Sequence, residues 1–315
     1  MSIENVDKLE VLEGGVVPSE EPLKEDSKSV EATIESVAET PVESEKKRAL
    51  RRPKRFPSWM DFFATIGVFV ISVFVGSLVA VAMMKLQGYE AMPPHVTFVY
   101  YLIQMLPTIA FILWRRHKAG RDSGLHVGLR RLNMPMILWG VLLVVASGVV
   151  IEPILSMFPT EAYDNVMQTI GFGGWAILST VVAAPVLEEV LFRGLIFESF
   201  GERFGRGAGL LISALLFGLI HGVPVQMVNA FVVGLILGYI YLRTRSLVSV
   251  IIIHAVNNAI AYATMAFFGD SGQMTLRELI SQSWFYWTLY GISALLCLWA
   301  MIRLWRVLRD NTEVE

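Results

Sequence analysis

Beyond residue 56 the chain is a succession of long apolar runs broken by short polar ones. A helix needs about 20 mostly apolar residues to cross a hydrocarbon core. Runs of about that length, or slightly shorter, occupy 61–84, 96–114, 134–156, 175–200, 207–222, 226–242, 247–268 and 284–302. The fifth and sixth are short and separated by His221-Gly222-Val223-Pro224. Pro224, with Gly218 and Gly222 before it, predicts a break there rather than one long helix. The pattern predicts an all-α polytopic membrane protein, a bundle of about eight transmembrane helices.

Composition agrees with that reading. Hydrophobic residues make up 54% of the 315 positions and charged ones 17%, against about 25% charged in soluble domains. A mean hydropathy of +0.56 excludes an ordinary soluble enzyme. The net charge of −2 hides a segregation. Residues 1–45 hold 13 acids against three lysines, a composition that cannot bury enough apolar surface to order itself. Lys46, Lys47, Arg48, Arg51, Arg52, Lys54 and Arg55 follow within ten residues, directly before the first apolar run. There they read as a juxtamembrane cluster facing lipid headgroups, so the expected partner is the bilayer and not nucleic acid. The expected organisation is a disordered acidic arm over 1–56 and a membrane bundle over 57–309. Cys297 is the sole cysteine, so no intrachain disulfide forms.

The loops supply an independent test. With the N-terminus inside, the inner connections and the flank of the first span hold 20 Lys and Arg residues, and the outer connections only Lys85 and Arg277. Glu161, Asp164 and Asp270 fall outside. This is the asymmetry of an inner or plasma membrane protein with both termini cytoplasmic.

A charge in the bilayer interior costs at least about 2.5–3.5 kcal/mol, so each needs a reason. The fourth span carries Glu188, Glu189 and Arg193, the fifth ends at His221, and the seventh carries His254, Asn257 and Asn258. Glu189 and Arg193 are four apart and share a face, which predicts an ion pair that supports the helix. Glu188 points about 100° away, free to face a polar cavity. Pro185, one turn earlier, is expected to disturb the span beside the acid. His254 and Asn258 also share a face. Counting about 1.5 Å per residue, Glu188, His221 and Asn258 lie roughly 20 Å from the basic end and His254 roughly 14 Å, so the four can meet at one level. Glu152 and Asn257 read as helix-packing or interfacial residues.

A carboxylate and an imidazole about one water can act as general base and acid for hydrolysis, with a second His and an Asn donating to a developing oxyanion. One Glu and two His (Glu188, His221, His254) also make a conceivable zinc site. No His-Glu-x-x-His pair, Gly-x-Ser-x-Gly elbow or intramembrane aspartate dyad is present. Two other classes remain open: a proton-coupled transporter using Glu188 and His221 as a relay, and a non-catalytic immunity or scaffold protein.

Glu188-Glu189-Val-Leu-Phe-Arg193, Phe217-Gly-Leu-Ile-His221 and His254-Ala-Val-Asn-Asn258 read as Glu-Glu-x-x-x-Arg, Phe-x-x-x-His and His-x-x-x-Asn. In order and spacing they resemble the CAAX prenyl protease and bacteriocin-processing family, over a motif core of 175–268. The resemblance implies an eight-helix intramembrane endopeptidase acting on a lipidated or hydrophobic protein or peptide. It implies that Glu188 and His221 activate water, that His254 and Asn258 stabilise the oxyanion, and that Glu189, Arg193 and Phe217 support the site. It leaves the cofactor as none or zinc, with the Asn beside His254 favouring none.

Overall fold

Ser58 starts the first helix. Its hydroxyl accepts from the Asp61 N–H at 3.1 Å while the Asp61 carboxylate accepts from the Ser58 N–H at 2.8 Å, a reciprocal capping box. Helix α1 (Trp59–Gln87) runs from there to Gly88, whose φ of 73° closes it. The computed structural model describes residues 56–159, 161–268, 280 and 282–310. The acidic arm and basic cluster, up to residue 55, lie outside the described residues.

After α1 come α2 (Pro94–Lys118), α3 (Met134–Leu155), α4 (Glu161–Ile170), α5 (Gly174–Phe204), α6 (Arg206–Leu219), α7 (Pro224–Thr244), α8 (Leu247–Phe268) and α9 (Ser283–Asp310). No strand occurs among the described residues. All but α4 and α6 are long and apolar enough to cross a membrane, so seven candidate spans stand among the described residues of an integral, multi-pass, all-α membrane protein. The expected fifth span differs. Its helix α6 has 14 residues, a rise of only about 21 Å against a hydrocarbon core of about 30 Å. The chain reverses at Gly222, φ 69°, and Pro224 opens α7, where the sequence places the break. Helix α4, with ten residues, has no counterpart among the expected spans.

Two apolar cores flank α5. Met136, Val144, Leu237, Ile240, Val250, Ile253 and Leu304 join α3, α7, α8 and α9. Met105, Ile112, Leu191, Phe192, Leu195 and Phe217 join α2, α5 and α6. Lipid and helix interior are equally apolar, so close packing of small residues must hold neighbouring helices together. A Cβ on Gly209 would meet the Phe197 carbonyl at 2.7 Å, and one on Gly218 the Met227 carbonyl at 2.7 Å.

The basic ends of the helices are tied by charge. Arg116, with no exposed surface, donates to the Asp122 carbonyl at 2.9 Å, the Ser199 hydroxyl at 2.9 Å and the Glu202 carboxylate at 2.7 Å. Burial works against ionising Asp122, but hydrogen bonds from Arg116 and the Gly124 N–H prevail and hold its carboxyl below the usual range. Arg245 pairs with Glu198 and donates to His126 Nε2 at 2.9 Å. The Leu247 N–H reaches the His126 carbonyl at 2.9 Å, pinning the α2–α3 connection to the start of α8.

Gly209→Ala is expected to lower stability by about 1–3 kcal/mol, because backbone and not a movable side chain blocks the methyl. Gly207→Ala, with open space around its Cβ, should be neutral or gain about 1 kcal/mol. Thermal unfolding of both variants in detergent tests the pair, and equal midpoints would refute the close contact.

Candidate active site

Helix α5 is not a regular α-helix. Two π-helical stretches, Leu178–Ala183 and Val190–Phe197, enclose the α-helical segment Ala184–Glu189 that ends in the two acids. Proline explains a consequence of the first stretch. The Ala184 N–H bonds five residues back to the Ser179 carbonyl. In that register residue 185 would serve the Thr180 carbonyl, and Pro185 has no N–H to give. Asn258 Nδ2 on α8 donates to that carbonyl instead, at 2.9 Å. In the second stretch the Ser213 hydroxyl on α6 donates to the Phe192 carbonyl at 2.8 Å.

Glu189 and Arg193 form the expected pair, Oε1 to NH1 at 2.7 Å, with neither side chain exposed. The pair does more than support one helix. Arg193 NH2 also donates to the Gly234 carbonyl on α7 at 3.0 Å. Its guanidinium lies 4.6 Å from the centre of the Phe217 ring, near enough for a cation–π contact. The same Glu189 Oε1 accepts from His254 Nδ1 at 2.8 Å. Since a carboxylate only accepts, Nδ1 carries the proton and Nε2 is the nitrogen turned to Glu188. Glu188 Oε2 lies 3.7 Å from His254 Nε2, and the Tyr101 hydroxyl on α2 donates to Glu188 Oε1 at 2.8 Å.

Of the residues singled out in the sequence, Glu188, Glu189, Arg193 and His254 therefore form one buried network. Asn258 stands one turn beyond His254 and bonds to α5; Asn257 Nδ2 donates to the Asn258 side-chain Oδ1 at 3.3 Å. His221 sits at the margin. Its Nδ1 bonds to the Phe217 carbonyl at 2.8 Å, which leaves Nε2 as its basic nitrogen. The Phe217 ring stands edge-on to His221 and to His254, with ring centres 5.2 and 5.7 Å apart. Glu152 lies apart from this network and accepts from the Tyr286 hydroxyl at 2.6 Å.

Zinc would need Glu188, His221 and His254 about one point. Among the described residues no three His, Cys, Asp or Glu side chains converge on a common point. Two partners escape sequence reading: Tyr101, which belongs to no motif, and the Glu189–His254 bond, which joins residues 65 apart in the chain.

An apolar crevice of about 270 Å³ opens between α1, α2, α5 and α6. Ile66, Thr108, Phe192, Leu216 and Ile220, the neighbour of His221, help to line it.

These features define a class: a multi-pass membrane protein with a buried carboxylate–imidazole network within its bundle. Residues 171–260 match the family model described as "Type II CAAX prenyl endopeptidase Rce1-like". The "Putative membrane peptidase YdiL" of Bacillus subtilis (strain 168) is 27% identical over 99 residues, 31% of this chain. The chain matches 39% of that relative's length. The resemblance drawn from the three motifs thus holds, over the segment that carries them, as one to the CAAX protease and bacteriocin-processing family. No solved structure matches significantly.

Replacing Asn258 by Leu leaves the Thr180 carbonyl without its donor, at an expected cost of about 1–3 kcal/mol. Adding Pro185→Ala restores an N–H in register and should recover part of that loss. Thermal unfolding of the two single variants and the double variant measures the coupling, and strict additivity would refute it. Glu189→Gln strips the buried Arg193 of its counter-charge and should cost about 3–5 kcal/mol in the same assay. An unchanged midpoint would show the pair to be dispensable.

Proposed function

We propose that the protein is an intramembrane endopeptidase of the CAAX protease type, hydrolysing a peptide bond in a lipidated or hydrophobic protein or peptide. The observation that carries this reading is the meeting of Glu188 with His254 inside the membrane segment that matches the family. Glu188 lies 14 residues from Gly174 and 16 from Phe204, hence roughly 20 Å from either end of α5.

In this reading Glu188, assisted by the basic Nε2 of His221, takes a proton from water as the water oxygen adds to the scissile carbonyl carbon. The carbonyl electrons move to oxygen, where His254 and the second N–H of Asn258 donate to the oxyanion. Collapse re-forms the carbonyl, breaks the C–N bond and returns the proton to the leaving amine. To donate from Nε2 as well as Nδ1, His254 acts as imidazolium, with Glu189 and Glu188 as its counter-ions.

The apolar crevice beside Ile220 supports a hydrophobic substrate entering from the bilayer. Arg116, Glu202, Arg131 and Arg245 lie together at one end of the bundle through Arg116–Glu202, Arg131–Thr244 and Arg245–Glu198 contacts. This supports a cytoplasmic assignment for that end, and with α6 counted as a short eighth crossing both termini fall on that side.

Purified protein, incubated with a panel of prenylated and unprenylated tail peptides, should cleave at least one of them. Glu188→Gln should abolish that cleavage while leaving the unfolding midpoint within a few degrees of wild type. Cleavage surviving in Glu188→Gln would exclude Glu188 as the base, and proton flux through vesicles without any cleavage would favour the transporter.

A further inference from the structure

Tyr101 lies outside all three motifs and outside the matched segment, on a helix that makes no other polar contact to the site among the described residues. Its ring packs against the cluster built by Met105, Leu191, Phe192 and Phe217. A tyrosine has only two side-chain torsions, so packing the ring fixes the hydroxyl in space. A glutamate has three, and nothing in the geometry of α5 itself selects which carboxyl oxygen faces the cavity.

We propose that Tyr101 is the positioning residue of Glu188. By donating to Oε1 at 2.8 Å it holds that oxygen against α2, and Oε2 is the one presented toward His254 Nε2 at 3.7 Å. A gap of that length suits a bridging water better than a direct bond. The two carboxyl oxygens thus have separate duties: Oε1 is an anchor and Oε2 the base. Glu189 differs: its Oε1 is taken by both Arg193 and His254, and its Oε2 is buried without a hydrogen-bond partner and without an imidazole facing it. Helix α2, which contributes nothing to the motifs, becomes part of the catalytic machinery. The orientation of Glu188 stands on geometry alone; the consequence for turnover rests on the hydrolytic reading given above.

The test uses the full chain with Tyr101→Phe, which keeps the ring and removes only the hydroxyl. Infrared spectra of wild type minus Glu188→Gln isolate the carboxyl stretching bands of Glu188. Losing the Tyr101 hydrogen bond should shift those bands, whereas Tyr286→Phe, which removes the bond to Glu152, should leave them in place. On a cleaved peptide, Tyr101→Phe should lower kcat by about 10- to 100-fold with KM within about twofold, in protein that remains folded at the assay temperature. Glu188 bands that do not move in Tyr101→Phe overturn the proposal whatever the activity does. Shifted bands with an unchanged kcat overturn the separation of duties between the oxygens. If the wild-type protein cleaves nothing, the peptidase reading fails by itself, while the infrared shift still decides whether Tyr101 orients Glu188.

Discussion

Arg193 is the constraint on which the bundle depends. A guanidinium without exposed surface, in a helix long enough to cross the membrane, must be matched by charge and by acceptors from its neighbours; here NH1 and NH2 find them while Nε does not. Glu189 supplies the charge from α5, the Gly234 carbonyl an acceptor from α7, and the Phe217 face a further contact from α6. Because Glu189 also takes His254, the same charge balance reaches α8. Satisfying one cation therefore fixes the relative placement of α5, α6, α7 and α8, and the reactive groups inherit that rigidity.

The backbone of α5 follows a related logic. Its π-helical stretches free carbonyls that a regular helix would consume, and Pro185 leaves Thr180 without a donor. In lipid such a carbonyl needs a partner from another helix, and Asn258 provides it. One amide thus serves both the integrity of the α5–α8 contact and, in the proposed chemistry, the oxyanion. A loss of activity on changing Asn258 is consequently ambiguous unless stability is followed alongside it.

Much of this architecture is written locally. Apolar run length marks the long helices, Pro224 and Gly222 mark the reversal, and the four-residue spacing marks the Glu189–Arg193 pair. What escapes is set by distance in the chain. A tyrosine in an apolar run looks like ordinary packing, so Tyr101 gives no signal until α2 is folded against α5. The bond from Glu189 to His254 has the same origin: helix geometry separates Glu188 from Glu189 but does not say which neighbour lies on each side. His221 is a different case: equal depth places it level with the acids, and its ring and that of His254 both stand edge-on to Phe217, a shared neighbour that depth alone does not reveal. The shortness of α6 is hidden because Ile220 and the following turn extend its apolar run past the last helical residue.

That short helix also acts on its surroundings. Leu211, Leu215 and Leu219 form an exposed apolar stripe on α6, about 12 Å long along the helix axis. Gly222 and Pro224, beyond its end, are exposed as well. Set in a hydrocarbon core of about 30 Å, a helix rising only about 21 Å is mismatched, and mismatch of this kind is relieved by compressing the adjacent leaflet. The protein would carry a dimple in the bilayer on its α6 side. Headgroups and solvent would descend there toward the level of His221, shortening the path that a polar chain must travel through hydrocarbon.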